Sequence, residues 1–136
     1  MVKNLKELLE GLEAKQYGYL YKDVEKQAKI MEETYGIPPF AIMENNDHEM
    51  IYRGQPTKVS VKIAFSRYLG RQLELIQWNR GECYHKEHLE KYGEGFYDVS
   101  MFVDNLEEIK ESFKLKGITL LQEGHLGKQH FAYFDS

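Results

Sequence analysis

QYGYLYKDVEKQAKIMEETYGI, residues 16–37, and DVSMFVDNLEEIKESFKLKGI, residues 98–118, are two versions of one supersecondary unit. In each, a short alternating strand runs into an amphipathic helix that ends at a Gly-Ile pair, Gly36-Ile37 and Gly117-Ile118. The copies stay in register from Gln16/Asp98 to Val24/Leu106 and then slip by one residue. A repeat of a whole unit sets the architecture before any single residue does, because each copy must bury its apolar face against a neighbour. It also pairs positions, one per copy, where a site can sit on a pseudo-twofold axis.

Within the first copy, Asp23 is a good N-cap for the helix. Val24, Ala28, Met31 and Tyr35 form its apolar stripe, and Gly36 supplies the left-handed stop. Pro38-Pro39 then forbids further helix. Phe40–Met43 and Glu49–Arg53 read as two strands joined by the polar turn Asn45-Asn46-Asp47. Gln55-Pro56 turns the chain into Lys58–Tyr68, where Val59, Val61, Ile63 and Phe65 face one way and Lys58 and Lys62 the other. Gly70 leads into Arg71–Trp78, and residues 82–92 predict a connecting helix closed by Gly93 and Gly95. In the second copy, Val99, Met101 and Val103 are expected to face the core and Asp98, Ser100 and Phe102 to face away. Asn105 caps the helix with Glu108 at the capping-box offset, and Leu106, Ile109 and Phe113 make its buried stripe. Strands Ile118–Gln122 and Gln129–Phe134 follow, so the first copy has three strands after its helix and the second two. Leu5, Leu8, Leu9 and Leu12 predict a short leading helix over residues 3–13.

The 136 residues carry 42% hydrophobic and 29% charged side chains, which is enough to bury a core and argues against disorder. A net charge of −4 without a basic cluster argues against nucleic acid as a partner. The amphipathic N-terminus MVKNLKELLEGLEAK and the lack of a long apolar run argue against a signal peptide and a membrane span. One cysteine, Cys83, excludes an intrachain disulfide and fits a reducing compartment, so a soluble cytoplasmic protein is expected.

Strand, helix and meander, repeated once, resembles the paired βαβββ modules of the vicinal oxygen chelate (VOC) superfamily. KDVEKQAKIMEETYGI is similar to that superfamily's first helix and LELIQ to its fourth strand. EKYGEGFYDVSMFVDNLEE resembles the linker and the start of module two, and KGITLLQEG and HFAYFD the closing strands. The resemblance runs from Gln16 to Asp135 and is closest to the glyoxalase I and methylmalonyl-CoA epimerase branch. It implies an α+β fold with a curved, cup-shaped sheet in one domain, 1–136, with the last strand of module two missing. Module one would span about 14–80, the connecting helix about 82–92 and module two about 95–136.

Members of the superfamily hold a divalent metal (Mg, Mn, Ni, Co or Zn) in the cup, with ligands from the first and fourth strand of each module. Carried over by position, the ligands fall on Gln16, Glu74 and Asp98, with Asp98 standing where histidine is usual. The remaining glutamate, from a last strand, has no counterpart. Period-two alternation agrees that all three side chains lie opposite the apolar rows of their strands. Only oxygen donors are offered, which suits Mg²⁺ or Mn²⁺ better than metals that favour imidazole. Two carboxylates and an amide are also an ordinary solvated lining, and uncoordinated Glu74 and Asp98 would raise one another's pKa.

The resemblance therefore implies a lyase (lactoylglutathione lyase-like) or an isomerase, methylmalonyl-CoA epimerase-like, that moves a proton next to a carbonyl, with Glu74 or another carboxylate as the catalytic base. The alternative is a metal-free small-molecule binding protein of the bleomycin-resistance type. Lys62, Trp78 and His130 are candidate substrate contacts, by charge, by stacking and by place near a closing loop that also holds His125. For each, a structural role is the commoner reading: a snorkelling lysine, a rim tryptophan, a strand-end histidine. His85 and His88 are spaced for a shared metal on the connecting helix but lack a third ligand. Cys83 has no base partner and reads as a helix-start residue. A small-molecule ligand and a homodimer, in which the partner covers the rim left by the missing strand, complete the expectation.

Overall fold

A computed structural model describes residues 5–135. The chain runs α1 (Leu5–Leu9), β1 (Gln16–Leu20), α2 (Val24–Tyr35), β2 (Ala41–Tyr52), β3 (Gln55–Tyr68) and β4 (Arg71–Arg80). It continues through α3 (Tyr84–Tyr92), β5 (Gly95–Ser100), α4 (Leu106–Leu115), β6 (Thr119–Leu126) and β7 (Gln129–Asp135). The seven strands form one curled half-barrel in the order β5-β1-β4-β3-β2-β6-β7, the α+β cup that the resemblance implied. β1 pairs parallel with β4 and antiparallel with β5, so the two copies meet along the β1–β5 seam. They meet again where β2 pairs with β6.

Local chemistry explains the first module. The Asp23 side chain accepts from the Lys26 N–H at 3.1 Å and starts α2, and Gly36, at φ 69°, ends it. Such a cap contributes about 1 kcal/mol. Val24 and Ala28 are buried as expected, but Tyr35 is 65% exposed and Ile37, past the stop, is buried instead. The two strands expected around Asn45-Asn46-Asp47 are one strand. The extra residue is absorbed in a bulge between Asn45 and His48, with Asp47 at φ 52° and its N–H on Ser60 Oγ at 2.9 Å. The reversal expected at Gln55-Pro56 falls two residues earlier, at Arg53-Gly54, whose φ values of 47° and 82° suit a two-residue hairpin.

Each face of the sheet has its own core. Leu20, Met50, Val59, Val61, Ile76 and Cys83 pack on the inner face with Ile63, Trp78, Leu89, Tyr97 and Phe131. Val24, Ala28, Ala64 and Leu75 pack on the outer face, under α2, with Tyr19, Tyr21, Met31 and Phe40. The cup is therefore a largely apolar hollow with a few polar groups set into it. α3 sits over its mouth. The Gln122 Oε1 accepts from the Tyr84 N–H at 2.8 Å, doing at the start of α3 what the Cys83 side chain does not. Glu87 binds Arg53 at 2.7 Å and also accepts from the Tyr52 hydroxyl.

The second module departs from expectation in two ways. Val99 and Met101 are each 45% exposed rather than core-facing, because β5 is an edge strand and the regular pairing ends at Ser100. Asn105 occupies the N-cap position of α4 without a side-chain cap bond, so the capping box does not close. Ile109 is buried, and Phe113 meets Phe134 edge-on at 4.4 Å. Of the leading helix, α1 covers Leu5–Leu9, residues 3 and 4 lie outside the described residues, and Gly11 turns away at φ 78°. No described helix is long and apolar enough to cross a membrane.

Candidate functional site

Gly18, in the middle of β1, is flanked in register by Glu74 on β4 and Asp98 on β5. Gln16 lies two residues back on the same face. These three strands bring together the three side chains expected in the cup. Gln16 Nε2 donates to Glu74 Oε2 at 3.0 Å. The Asp98 carboxylate lies against bare backbone at Gly18, where an added Cβ would stand 2.3 Å from Oδ1 and 2.9 Å from Cγ. A glycine inside a strand often marks such a close approach.

The charges are crowded and poorly satisfied. Neither Asp98 oxygen touches solvent and neither makes a hydrogen bond of ordinary geometry. Burial pushes Asp98 up to about 6, and the Tyr133 hydroxyl and the Gly18 N–H only partly oppose this. Burial, and then the Asp98 charge, push Glu74 up to about 7, against the Gln16 hydrogen bond. The pair holds a proton more tightly than either acid would in water, so it is poised to exchange protons or to receive a cation near neutral pH.

Aromatic rings from α3, β5 and β7 wall the site. Tyr97 and Tyr133 lie 5.9 Å apart by ring centroids, and burial raises both hydroxyl pKa values well above the usual. Tyr97 Oη meets His85 Nδ1 at 2.9 Å. His85 is 6% exposed, and burial, then His88, lower its pKa to about 4, so the ring is neutral. His85 and His88 are parts of this packed wall rather than exposed helix histidines, with His88 4.8 Å from the Tyr97 ring.

The other candidates lie elsewhere. Lys62 is on the outer face, not the cup face, and binds Glu25 of α2 at 3.2 Å and Glu44 at 3.7 Å. The reason is register: Ile63 takes the inward position opposite Ile76, so Lys62 is turned under the helix. Trp78 packs against the inner core, donates Nε1–H to the Gly81 carbonyl at 2.8 Å and lies 5.8 Å from Lys86 Nζ. His130 stacks on His125 at 4.4 Å and lies 3.4 Å from Glu123.

Cys83 stands at the N-cap of α3, buried, with its thiol raised to about 11 mainly by burial. It is expected to stay unmodified by a disulfide reagent at pH 8 and to react fully once denaturant is added. Rapid labelling of the folded chain would contradict that burial. Gly18, Tyr97 and Tyr133 went unrecognised as parts of the site in sequence. The signal for Gly18 was a glycine interrupting the alternation QYGYL.

The profile of the glyoxalase/bleomycin resistance protein/dioxygenase superfamily matches residues 15–134. The chain belongs to this superfamily, the VOC superfamily of the resemblance. Among solved structures it is similar to a hypothetical protein from Bacillus halodurans, with 16% identity, TM-score 0.64, and 93% and 86% of the two chains covered. A methylmalonyl-CoA epimerase in complex with methylmalonyl-CoA and NH4+ matches with 16% identity, TM-score 0.58 and coverage of 91% and 85%. A Streptomyces coelicolor methylmalonyl-CoA epimerase variant in complex with 2-nitronate-propionyl-CoA matches with 16% identity, TM-score 0.57 and coverage of 90% and 86%. At such identity these likenesses speak to the fold. No curated protein matches the chain.

Proposed function

We propose that the chain is a lyase or isomerase that moves a proton on a carbon next to a carbonyl, with Glu74 as its base. The observation that supports this reading is the buried Glu74–Asp98 pair across Gly18, with Glu74 raised to about 7. A base with a pKa near the working pH combines availability with driving force. Glu74 Oε2 is held by Gln16, so Oε1 is the oxygen assigned to take and return the proton. Tyr97, Tyr133 and the apolar inner wall keep water from that proton. The epimerase relatives, which bind CoA esters, suggest a carboxylic thioester as the first substrate class to try.

Superfamily members often use a divalent metal, and the donor chemistry here fits a hard one. Gln16, Glu74 and Asp98 can present oxygen donors, and neither Asp98 oxygen makes a hydrogen bond of ordinary geometry. These three residues would hold the cation, which when bound would offset negative charge developing on the substrate oxygen. Among the described residues no three His, Cys, Asp or Glu side chains are gathered as a metal centre. The apolar and aromatic inner face supports a second reading, a metal-free small-molecule binding protein of the bleomycin-resistance type. A homodimer that covers the free edges of β5 and β7 is part of both readings.

Titration calorimetry of the untagged chain with Mn²⁺ separates the two. Saturable binding that Glu74→Ala abolishes supports the enzyme. Silence removes the metal from the account and leaves solvent-deuterium exchange into methylmalonyl-CoA as the test of Glu74 as a base.

A further inference from the structure

On the outer face, away from the cup, the β6–β7 hairpin sets two imidazoles and a carboxylate side by side. Glu123 and His125 are two residues apart on β6 and so share a face, and His130 is the direct cross-strand partner of His125. The two rings stack at 4.4 Å with 21° between their planes. Glu123 Oε1 lies 3.4 Å from His130 Nε2. We propose that His125 and His130 form a chelating pair for a late divalent transition metal such as Cu²⁺, Ni²⁺ or Zn²⁺, with Glu123 as the third ligand.

Metal–imidazole bonds of about 2.0–2.1 Å bring two ligating nitrogens to roughly 3 Å. The rings, with centroids 4.4 Å apart and 21° between their planes, reach that when their ligating edges tilt toward one another. A two-imidazole, one-carboxylate set suits these metals, unlike the all-oxygen set of the cup. Two further contacts prepare the pair. His48 Nε2 meets the His125 carbonyl oxygen at 2.6 Å and ties that strand to β2. His130 Nδ1 lies 3.8 Å from Glu107 Oε1, beyond hydrogen-bond distance, so a second carboxylate adds negative potential beside the ring. Among the described residues no three ligands are gathered as a metal centre, and Glu123 is here bound to Lys110 Nζ at 2.8 Å. A metal takes over the role of that ammonium, so Lys110 acts as its competitor.

Two other groups with affinity for such metals are poor rivals. His85 is buried in the aromatic wall and Cys83 is sealed in the core. The experiment is calorimetric titration of the untagged chain with Cu²⁺ and Ni²⁺ at pH 7.5, beside Cu²⁺ electron paramagnetic resonance. One saturable site is expected, with nitrogen splitting from two imidazoles. His125→Ala and His130→Ala should each weaken it about tenfold or more, Lys110→Met should tighten it, and Glu74→Ala should leave it unchanged. The proposal is overturned if neither histidine substitution alters the isotherm, if no saturable binding occurs, or if Glu74→Ala removes it.

Discussion

Replacing Gly18 with alanine is expected to damage both the fold and the site, although the change adds one methyl group in the middle of a strand. The new Cβ would lie 2.3 Å from Asp98 Oδ1, inside any permitted contact. The Asp98 carboxylate must therefore leave its bed on β1, or β1 must part from β5. Overpacking of this kind costs about 1–3 kcal/mol, enough to lower the melting temperature by several degrees. Asp98→Ala in the same chain should restore most of the loss, because the carboxylate that met the methyl group is gone. A double-mutant cycle should show about 1 kcal/mol or more of coupling. An unchanged melting temperature, or loss that Asp98→Ala does not relieve, would show that the close approach is wrong.

The second large effect is the pH dependence of stability. Glu74 is raised from 4.5 to about 7 and Asp98 from 3.8 to about 6. Between those limits the folded chain holds protons that the unfolded chain has released. Their stabilising contribution is therefore full below about pH 4 and is lost as pH rises through 7. At about 1.4 kcal/mol per unit, the pair together changes stability by a few kcal/mol, shared between coupled groups. His85 works in the opposite direction: lowered from 6.5 to about 4, it makes stability rise with pH over that interval. The diagnostic is thus a difference between variants. Glu74→Gln should gain stability relative to the parent as pH climbs from 4.5 to 7.5, and His85→Phe should gain relative to the parent as pH falls from 6.5 to 4. Denaturant midpoints across pH measure both. Parallel curves for parent and Glu74→Gln would remove the claim that Glu74 is ionised at a cost.

How much of this was legible follows from what each residue's neighbours are. Asp23 and Gly36 set the limits of α2 by local backbone chemistry, which is why that helix could be read directly. The cup was implied by the resemblance of the repeated strand–helix–meander to the VOC modules, and the repeat by itself says only that two like units must pair with something. The bulge near Asn45 was misread as a turn because Asn-Asn-Asp favours either, and only the register against Val59 and Val61 decides between them. Lys62 was placed in the cup because alternation gives two faces and does not say which one a helix will cover. Gln16, Glu74 and Asp98 converge because strand order brings β5, β1 and β4 together, a relation that the resemblance to the VOC modules implied. The aromatic wall of Tyr97, Tyr133 and His85 depends on how α3 crosses the mouth, and nothing local encodes that path.

The most direct measurement is a carbon-detected NMR titration of the side-chain carboxyls of Glu74 and Asp98 in the metal-free chain. Both should titrate well above ordinary acids, near 7 and 6, and Asp98→Asn should lower the Glu74 midpoint. Two independent titrations near 4.5 and 3.8, indifferent to substitution of the partner, would mean that the two carboxylates are solvated strangers rather than a coupled pair.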